Sequence, residues 1–350
     1  MIRLLVVDDS AVVRKILSEE LSKFEDIEVV GTAMDPYVAR ERIVELEPDV
    51  LTLDVEMPRM DGLSFLKKLM KHHPMPVVVV SSLTPENSEN ALRALELGAV
   101  EVIPKPGSQF SVPDVGRHLV RAIRAAARAN LHGVQRARVD EDVPAPALQG
   151  LSTTHQVLAI GASTGGTRAI EAVLRRCPPD LPGTVIVQHM PQGFTTTYAQ
   201  RMDRICPQEV REARDGDILA PGTVLIAPGG KQMLVKRSGA QYRVQVKEGP
   251  PVNHHRPSVD VLFRSVARSC GANAVGLILT GMGADGARGL KEMRDAGART
   301  IVQDEASCVV FGMPAAAIEM GAAEQVLGLG EIPQALLGAF AKRQPAMAGV

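Results

Sequence analysis

Four consecutive valines, Val77–Val80, constrain the fold of this chain more than any other stretch. A β-branched run with no polar alternation suits a strand covered on both faces, as in the middle of a parallel sheet flanked by helices. The surrounding sequence agrees. Ile2–Val7 is an apolar run of strand length, and Val12, Val13, Ile16, Leu17, Leu21 and Phe24 follow at helical spacing. Ile27–Val30 predicts a second strand, before a helix whose inner face uses Val38, Ile43 and Leu46. Asp49–Asp54 and Leu63–Met70 predict the third strand and helix. A helix through Leu92–Leu97 leads to a last strand at Val100–Ile103, and Val115, Leu119, Val120 and Ile123 mark a closing helix. Five βα units predict a doubly wound, flavodoxin-like sheet over residues 1–125.

In such sheets ligands gather outside the carboxyl ends of the strands. Those ends carry Asp8 and Asp9, Asp54, Ser81 and Lys105. Converging carboxylates repel unless a hard divalent cation such as Mg2+ sits among them, keeping waters and accepting a phosphoryl oxygen. Ser81 can then donate to a phosphoryl group and Lys105 can neutralise one. The set suits phosphorylation of an aspartate, with Asp54 as the nucleophile. Any one of these acids could be a loop residue or a helix N-cap; five suitable residues at predicted strand ends favour the functional reading.

Residues 126–153 read as a linker. Periodicity is lost, Arg136, Arg138, Asp140, Glu141 and Asp142 form a mixed-charge run, and Pro144–Ala147 is extended.

Strand–helix alternation resumes over 154–345. Val157–Ile160 leads into Gly161-Ala162-Ser163-Thr164-Gly165-Gly166 and a helix from Thr167 to Arg176. Thr184–Val187 is a strand ending in Gln188-His189, and Ala274–Leu279 is a strand followed by Thr280-Gly281-Met282-Gly283-Ala284-Asp285-Gly286. Between them, glycine and proline break Val210–Val246 into short runs, which predicts short strands or hairpins there, an inserted β-hairpin region in a parallel α/β frame.

Ser163, His189 and Asp285 thus stand at three predicted strand ends. A serine needs a base, and an imidazole needs an acid to hold its tautomer. Gly161-x-Ser163-x-Gly165 matches the nucleophile-elbow pattern, but the order Ser, His, Asp differs from that of α/β-hydrolases, which argues for the chemistry on another fold. Taken alone, the glycine-flanked serine is equally a phosphate-cradling loop at a helix N-terminus, and Asp285 is equally an N-cap. The 281–289 segment lacks the Lys-Ser/Thr of a P-loop. His72, His73, His118, His132 and His155 read as ordinary surface or core residues. Backbone N–H groups near Thr164 and Met282 are candidate oxyanion donors.

Composition removes other classes. A net charge of -1 opposes nucleic-acid binding through phosphate contacts, and the second module is not a small basic helical domain. No apolar run approaches the ~20 residues of a membrane span, so no membrane insertion is expected. The opening residues run straight into a strand pattern, without the features of a signal peptide. Four scattered cysteines read as reduced, mostly buried thiols, which places the protein in the cytoplasm.

Two resemblances join these readings. Val6-Val7-Asp8-Asp9-Ser10, Asp54–Gly62 and Pro104-Lys105-Pro106 closely resemble response-regulator receiver domains. The resemblance implies that Asp54 takes phosphate from a histidine kinase, that Mg2+ sits on Asp9 and Asp54 with Asp8 nearby and the Glu56 backbone carbonyl as a further ligand, and that the Lys105-Pro106 bond is cis. Ala159–Gly166, Val187–Met190, Leu279–Gly286, Asn253–Ser258 and Val309–Pro314 resemble the catalytic domain of chemotaxis protein-glutamate methylesterases. This implies hydrolysis of glutamate methyl esters on methyl-accepting chemotaxis receptors, releasing methanol, and deamidation of receptor glutamines. In these roles Ser163 is nucleophile, His189 base and Asp285 its orienting acid, and no cofactor serves the ester reaction. It also implies that the unphosphorylated receiver covers the catalytic face and that phosphorylation by the chemotaxis kinase relieves this, through the Ser81–Lys105 face. The competing expectation is a receiver joined to a non-enzymatic anion- or nucleotide-binding output domain.

Overall fold

The computed structural model describes residues 1–57, 61–82, 84–105, 112–131 and 155–341. The chain divides into two compact units, Met1–Val134 and Gln135–Val350. From residue 132 on, the expected linker lies outside the described residues, as does the Lys105-Pro106 bond, while its first residue, Ala126, closes a helix. Among the described residues, no helix is long and apolar enough to cross a membrane.

The first unit runs β1 (Ile2–Val7), α1 (Ala11–Leu21), β2 (Ile27–Ala33), α2 (Pro36–Leu46), β3 (Val50–Asp54), α3 (Gly62–His72), β4 (Val77–Ser81), α4 (Pro85–Leu97), β5 (Glu101–Pro104) and α5 (Val112–Ala126). Its strands are all parallel, in the order β2-β1-β3-β4-β5. The flavodoxin-like expectation is borne out, and every residue of β3 and β4 is buried, as the valine run requires. Polar residues start the helices. Asp35 accepts from Tyr37 and Val38 N–H, and Asp61 from Leu63 and Ser64 N–H, satisfying first-turn donors that have no partner inside the helix. The order reverses direction between β1 and β3, which opens a crevice where both strands end.

The second unit contains β6 (Val157–Ala162), α6 (Gly166–Leu174), β7 (Gly183–Gln188), α7 (Phe194–Ile205), β8 (Glu209–Glu212), β9 (Thr223–Ile226), β10 (Gln232–Ser238), β11 (Gln241–Lys247), α8 (Val259–Cys270), β12 (Ala274–Ile278), α9 (Ala287–Asp295), β13 (Arg299–Gln303), α10 (Met313–Glu319), β14 (Gln325–Leu327) and α11 (Ile332–Ala341). A seven-stranded parallel sheet has the order β14-β13-β12-β6-β7-β9-β8. The 210–246 region divides in two. Only β10 and β11 form a hairpin, whereas β8 and β9 join the main sheet in parallel register. Short runs between glycines and prolines read as hairpins, but strand direction is set by where the connection carries the chain, which the runs themselves do not encode.

Successive strands leave β6 toward β7 and then return to its other side as β12. The switch point therefore lies at the end of β6, where Ser163 stands. Helix α8 crosses close by: a Cβ on Gly161 would lie 2.2 Å from Val259 Cγ1, and one on Gly289 of α9 would lie 2.6 Å from Phe263 Cβ. Bare glycines let α8 settle against both β6 and α9, with Val259, Leu262, Phe263 and Val266 in the core beneath.

Candidate active site

Three loops meet at the switch point of the second sheet. Ala162 pairs with Gln188 at the ends of β6 and β7, so Ser163 and His189 emerge from neighbouring strands. His189 N–H donates to Ala162 O at 3.0 Å. The Gln188 amide Nε2 then donates to both Ser163 O (2.9 Å) and His189 O (3.1 Å), tying the two main chains together. Gly166 makes room for this, since a Cβ there would lie 2.2 Å from Gln188 Oε1.

Asp285 arrives from the other side. It lies beyond the end of β12 and reaches across β6 to place Oδ2 2.8 Å from His189 Nε2. Its carboxylate is fixed by donors from the start of α8. Val259 N–H reaches Oδ2 at 2.7 Å, while Ser258 Oγ (2.8 Å), Asn253 Nδ2 (2.8 Å) and Asp260 N–H (3.3 Å) reach Oδ1. Burial alone would raise this carboxyl, but the bond to His189 and those from Asn253 and Ser258 hold it far below the usual carboxylate range. The N-cap expectation inverts: Gly286 occupies the N-cap of α9, and Asp285 instead accepts from the first turn of α8. Asp260 returns the arrangement, its Oδ1 accepting Gly286 N–H (3.1 Å) and Gly289 N–H (2.7 Å) at the start of α9. Each helix start thus meets a carboxylate from the other segment, favoured by the positive end of the helix dipole.

With Nε2 donating to Asp285, the other ring nitrogen holds the free lone pair. His189 Nδ1 is buried and has no hydrogen-bond partner. Ser163 is 6% exposed and is not hydrogen-bonded to that nitrogen. Such contacts are commonly long without substrate and tighten in the complex. Ser163 N–H donates to Thr280 O at 3.1 Å and so is committed to the loop. Met282 N–H makes no hydrogen bond among the described residues. Beside it, a Cβ on Gly283 would meet nothing within 4 Å. The Thr164 carbonyl accepts from Thr280 Oγ1 at 3.0 Å, holding the serine corner against the Met282 loop.

Sequence reasoning left His254 and His255 without a role and missed Gln188 and Asp260. His255 stacks on His189, with ring centroids 3.7 Å apart and planes 5° from parallel. His254 is exposed. Asn253 and Ser258 lie just before α8, and Asp260 lies in its first turn. A run of donors at a helix start was the available signal.

At the ends of β1, β3, β4 and β5 in the first unit, Asp8, Asp54 and Ser81 are buried, Asp9 is exposed and Lys105 is half-buried. Lys105 Nζ is 2.7 Å from Asp54 Oδ2 and 3.4 Å from Asp8 Oδ2. Burial pushes both carboxyls above their ordinary range, against the pull of Lys105. Burial would lower Lys105, but Asp54, Asp8 and Glu56 raise it overall. Oxygens of Asp8, Asp9 and Asp54 lie within 4.8 Å of one another, and Asp8 Oδ2 is buried without a hydrogen-bond partner. A buried carboxylate oxygen with only the long ion pair to Lys105, in an all-oxygen cluster, fits a hard divalent cation. Ser81 does not face Asp54 with a free hydroxyl. Its Oγ donates to Glu56 Oε1 at 3.1 Å, and Ser82 adds N–H (2.9 Å) and Oγ (2.7 Å) donors to the same oxygen. Burial opposes ionisation of Glu56, but these bonds and Lys105 outweigh it and lower its carboxyl.

Known proteins carry both domains in one chain. The family described as CheB methylesterase matches residues 158–336, and the response regulator receiver domain matches residues 4–112. A protein-glutamate methylesterase/protein-glutamine glutaminase of Syntrophus aciditrophicus is 56% identical, with 95% of this chain and 97% of that protein covered. One of Anaeromyxobacter dehalogenans is 55% identical over 96% of this chain and 94% of that protein. The crystal structure of the Thermotoga maritima CheB methylesterase catalytic domain is similar with a TM-score of 0.51 at 37% identity, covering 52% of this chain and 97% of that one. A nucleotide-binding output domain finds no support among these relatives. The chain belongs to the CheB methylesterase family, with a response-regulator receiver domain ahead of the catalytic domain.

Proposed function

We propose that this protein is a phosphorylation-activated serine hydrolase that cleaves glutamate methyl esters on methyl-accepting chemotaxis receptors and deamidates receptor glutamines, for sensory adaptation in the cytoplasm. The 2.8 Å contact between His189 Nε2 and Asp285, one strand away from Ser163, carries the reading. Ser163 Oγ adds to the ester carbonyl and its proton passes to His189 Nδ1. Asp285, held as an anion, stabilises the imidazolium through Nε2–H. Met282 N–H, with Thr164 N–H, receives the oxyanion. Collapse of the adduct breaks the C–O bond, and His189 returns the proton to the leaving methoxide as methanol. Water repeats the sequence on the acyl-enzyme and leaves glutamate. From glutamine, ammonia departs instead. These steps require no cofactor.

In the receiver, residues 1–125, Asp54 accepts a phosphoryl group from the chemotaxis histidine kinase. Asp9 and Asp54, with Asp8 nearby and the Glu56 carbonyl, would hold Mg2+, which supplies charge neutralisation when bound. Lys105 is placed to pair with a phosphoryl oxygen, and Ser81 must turn from Glu56 to donate to one. Residues 126–153 connect the receiver to the catalytic domain, 154–345, whose activity the receiver restrains until phosphorylated.

Methanol release from methylated receptor membranes, with and without a phosphodonor and Mg2+, tests the reading. Ser163→Ala should abolish release while Asp54 still takes up phosphate, and retained release would remove Ser163 from the mechanism. Limited proteolysis within 130–153 should free a fragment more active than the unphosphorylated whole. A fragment no more active would remove the restraint.

A further inference from the structure

A single hydrogen bond does not fix the plane of an imidazole. The bond from His189 Nε2 to Asp285 restrains that nitrogen but leaves the ring some rotation about its Cβ–Cγ bond, which swings Nδ1 toward or away from the serine corner. The ring of His255, centroid to centroid at 3.7 Å and 5° from parallel, limits that rotation. We propose that His255 is a positioning residue for the reaction, acting through the base rather than on substrate, because its ring fixes the plane of the His189 imidazole. This rests on the reading of His189 as general base.

The segment that carries His255 is built for the purpose. Val252 and His255 exchange backbone hydrogen bonds at 3.0 and 2.9 Å, closing a two-residue turn. Both residues between them have left-handed backbone, Asn253 at φ +52° and His254 at φ +67°. That is the pattern of a type I′ turn, and histidine there is a strained choice. Strained backbone persists only where the surroundings over-determine it. Here Asn253 Nδ2 reaches Asp260 Oδ2 and Asp285 Oδ1, each at 2.8 Å. Gln232, at the foot of the hairpin, donates to Pro250 O at 3.1 Å and accepts from Ser258 N–H at 2.9 Å. One short turn therefore holds the acid through Asn253 and lays His255 on the base.

An aromatic stack limits the effect: His255→Ala should lower kcat roughly two- to ten-fold. KM for methylated receptor membranes should stay within about two-fold, because the residue does not bind substrate. His255→Phe, which keeps a flat ring and discards the nitrogens, should recover most of kcat. A second readout avoids the receptor: in the full-length protein, a fluorophosphonate should label Ser163 more slowly in His255→Ala and near the normal rate in His255→Phe. Unchanged kcat and labelling in His255→Ala would overturn the proposal. A phenylalanine variant as impaired as the alanine one would overturn it too, since a flat ring would then not be the requirement. A rise in KM alone would also overturn it, by making His255 a substrate contact. His189→Ala in the same assays separates the two readings: if it keeps activity, the base assignment fails and not the stack.

Discussion

Replacing Asp285 with asparagine changes one oxygen to an amide nitrogen without changing shape, and the geometry gives the cost. Oδ2 accepts from His189 Nε2 and Val259 N–H, and Oδ1 from Ser258 Oγ, Asn253 Nδ2 and Asp260 N–H. If the new amide nitrogen takes the Oδ2 place, it confronts the fixed Val259 N–H and forces His189 to accept at Nε2. The ring proton then moves to Nδ1, which can no longer take the serine proton. If it takes the Oδ1 place, it confronts Asn253 and Asp260 N–H, and the imidazolium still loses its counter-charge. Either way one or two buried donors go unmet at ~1–3 kcal/mol each, and the α8 terminus loses an anion, so stability should fall by about 3–5 kcal/mol. Turnover should fall roughly 10³–10⁴-fold, the scale for triads whose acid becomes an amide. Urea titration reads the first figure and methanol release the second. Asp285→Ala leaves the ring free to choose its tautomer. A D285N enzyme more than about ten-fold faster than D285A would therefore rule out the amide nitrogen at the Oδ2 place, and with it the tautomer reasoning.

Other outcomes follow from the same geometry. Asp285 is depressed in the folded chain, so its stabilisation is present above the unfolded carboxylate value of ~3.9 and is lost only as pH falls toward its own lower value. The gap in unfolding free energy between wild type and D285N should narrow as pH falls below about 4. A Cβ on Gly281 would lie 2.5 Å from Met313 Sδ and 2.7 Å from Ser163 Cβ. Gly281→Ala should cost ~1–3 kcal/mol in urea and slow fluorophosphonate labelling of Ser163, whereas wild-type labelling would mean the corner does not depend on this loop. Burial pushes the thiols of Cys177, Cys206 and Cys270 up to about 12, and raises Cys308 as well. At pH 8 they should react with a disulfide reagent roughly a thousand-fold more slowly than a free thiol, and at the ordinary rate in denaturant.

Much of this architecture was legible because a parallel sheet writes itself in short apolar runs and puts polar residues where those runs stop. Val77–Val80, Asp54, Ser163 and His189 were readable for that reason. What escaped depends on reach between distant segments. Nothing in the order of residues says that Asp285 would be held by the start of α8, or that its bond would fall on Nε2 and leave Nδ1 for the serine. Ser258 looks like a helix cap, yet its hydroxyl goes to Asp285. Glu56 was expected to offer its carbonyl, while its side chain grips Ser81 and Ser82. Val224–Ile226 was readable as a strand, but its place beside β7 was not.

The crossed carboxylates of α8 and α9 alter how this enzyme can lose its activity. Active-site residues are often a burden on the fold, so replacing them tends to stabilise a protein. Ser163 makes few demands and could follow that rule. Asp285 cannot, since the same oxygens that contact His189 also fasten one helix to the loop before another. A descendant relieved of selection for hydrolysis should therefore shed Ser163 early and keep Asp285 long after catalysis has gone. An aspartate at that position is then evidence for an intact domain, and only the serine is evidence for an esterase.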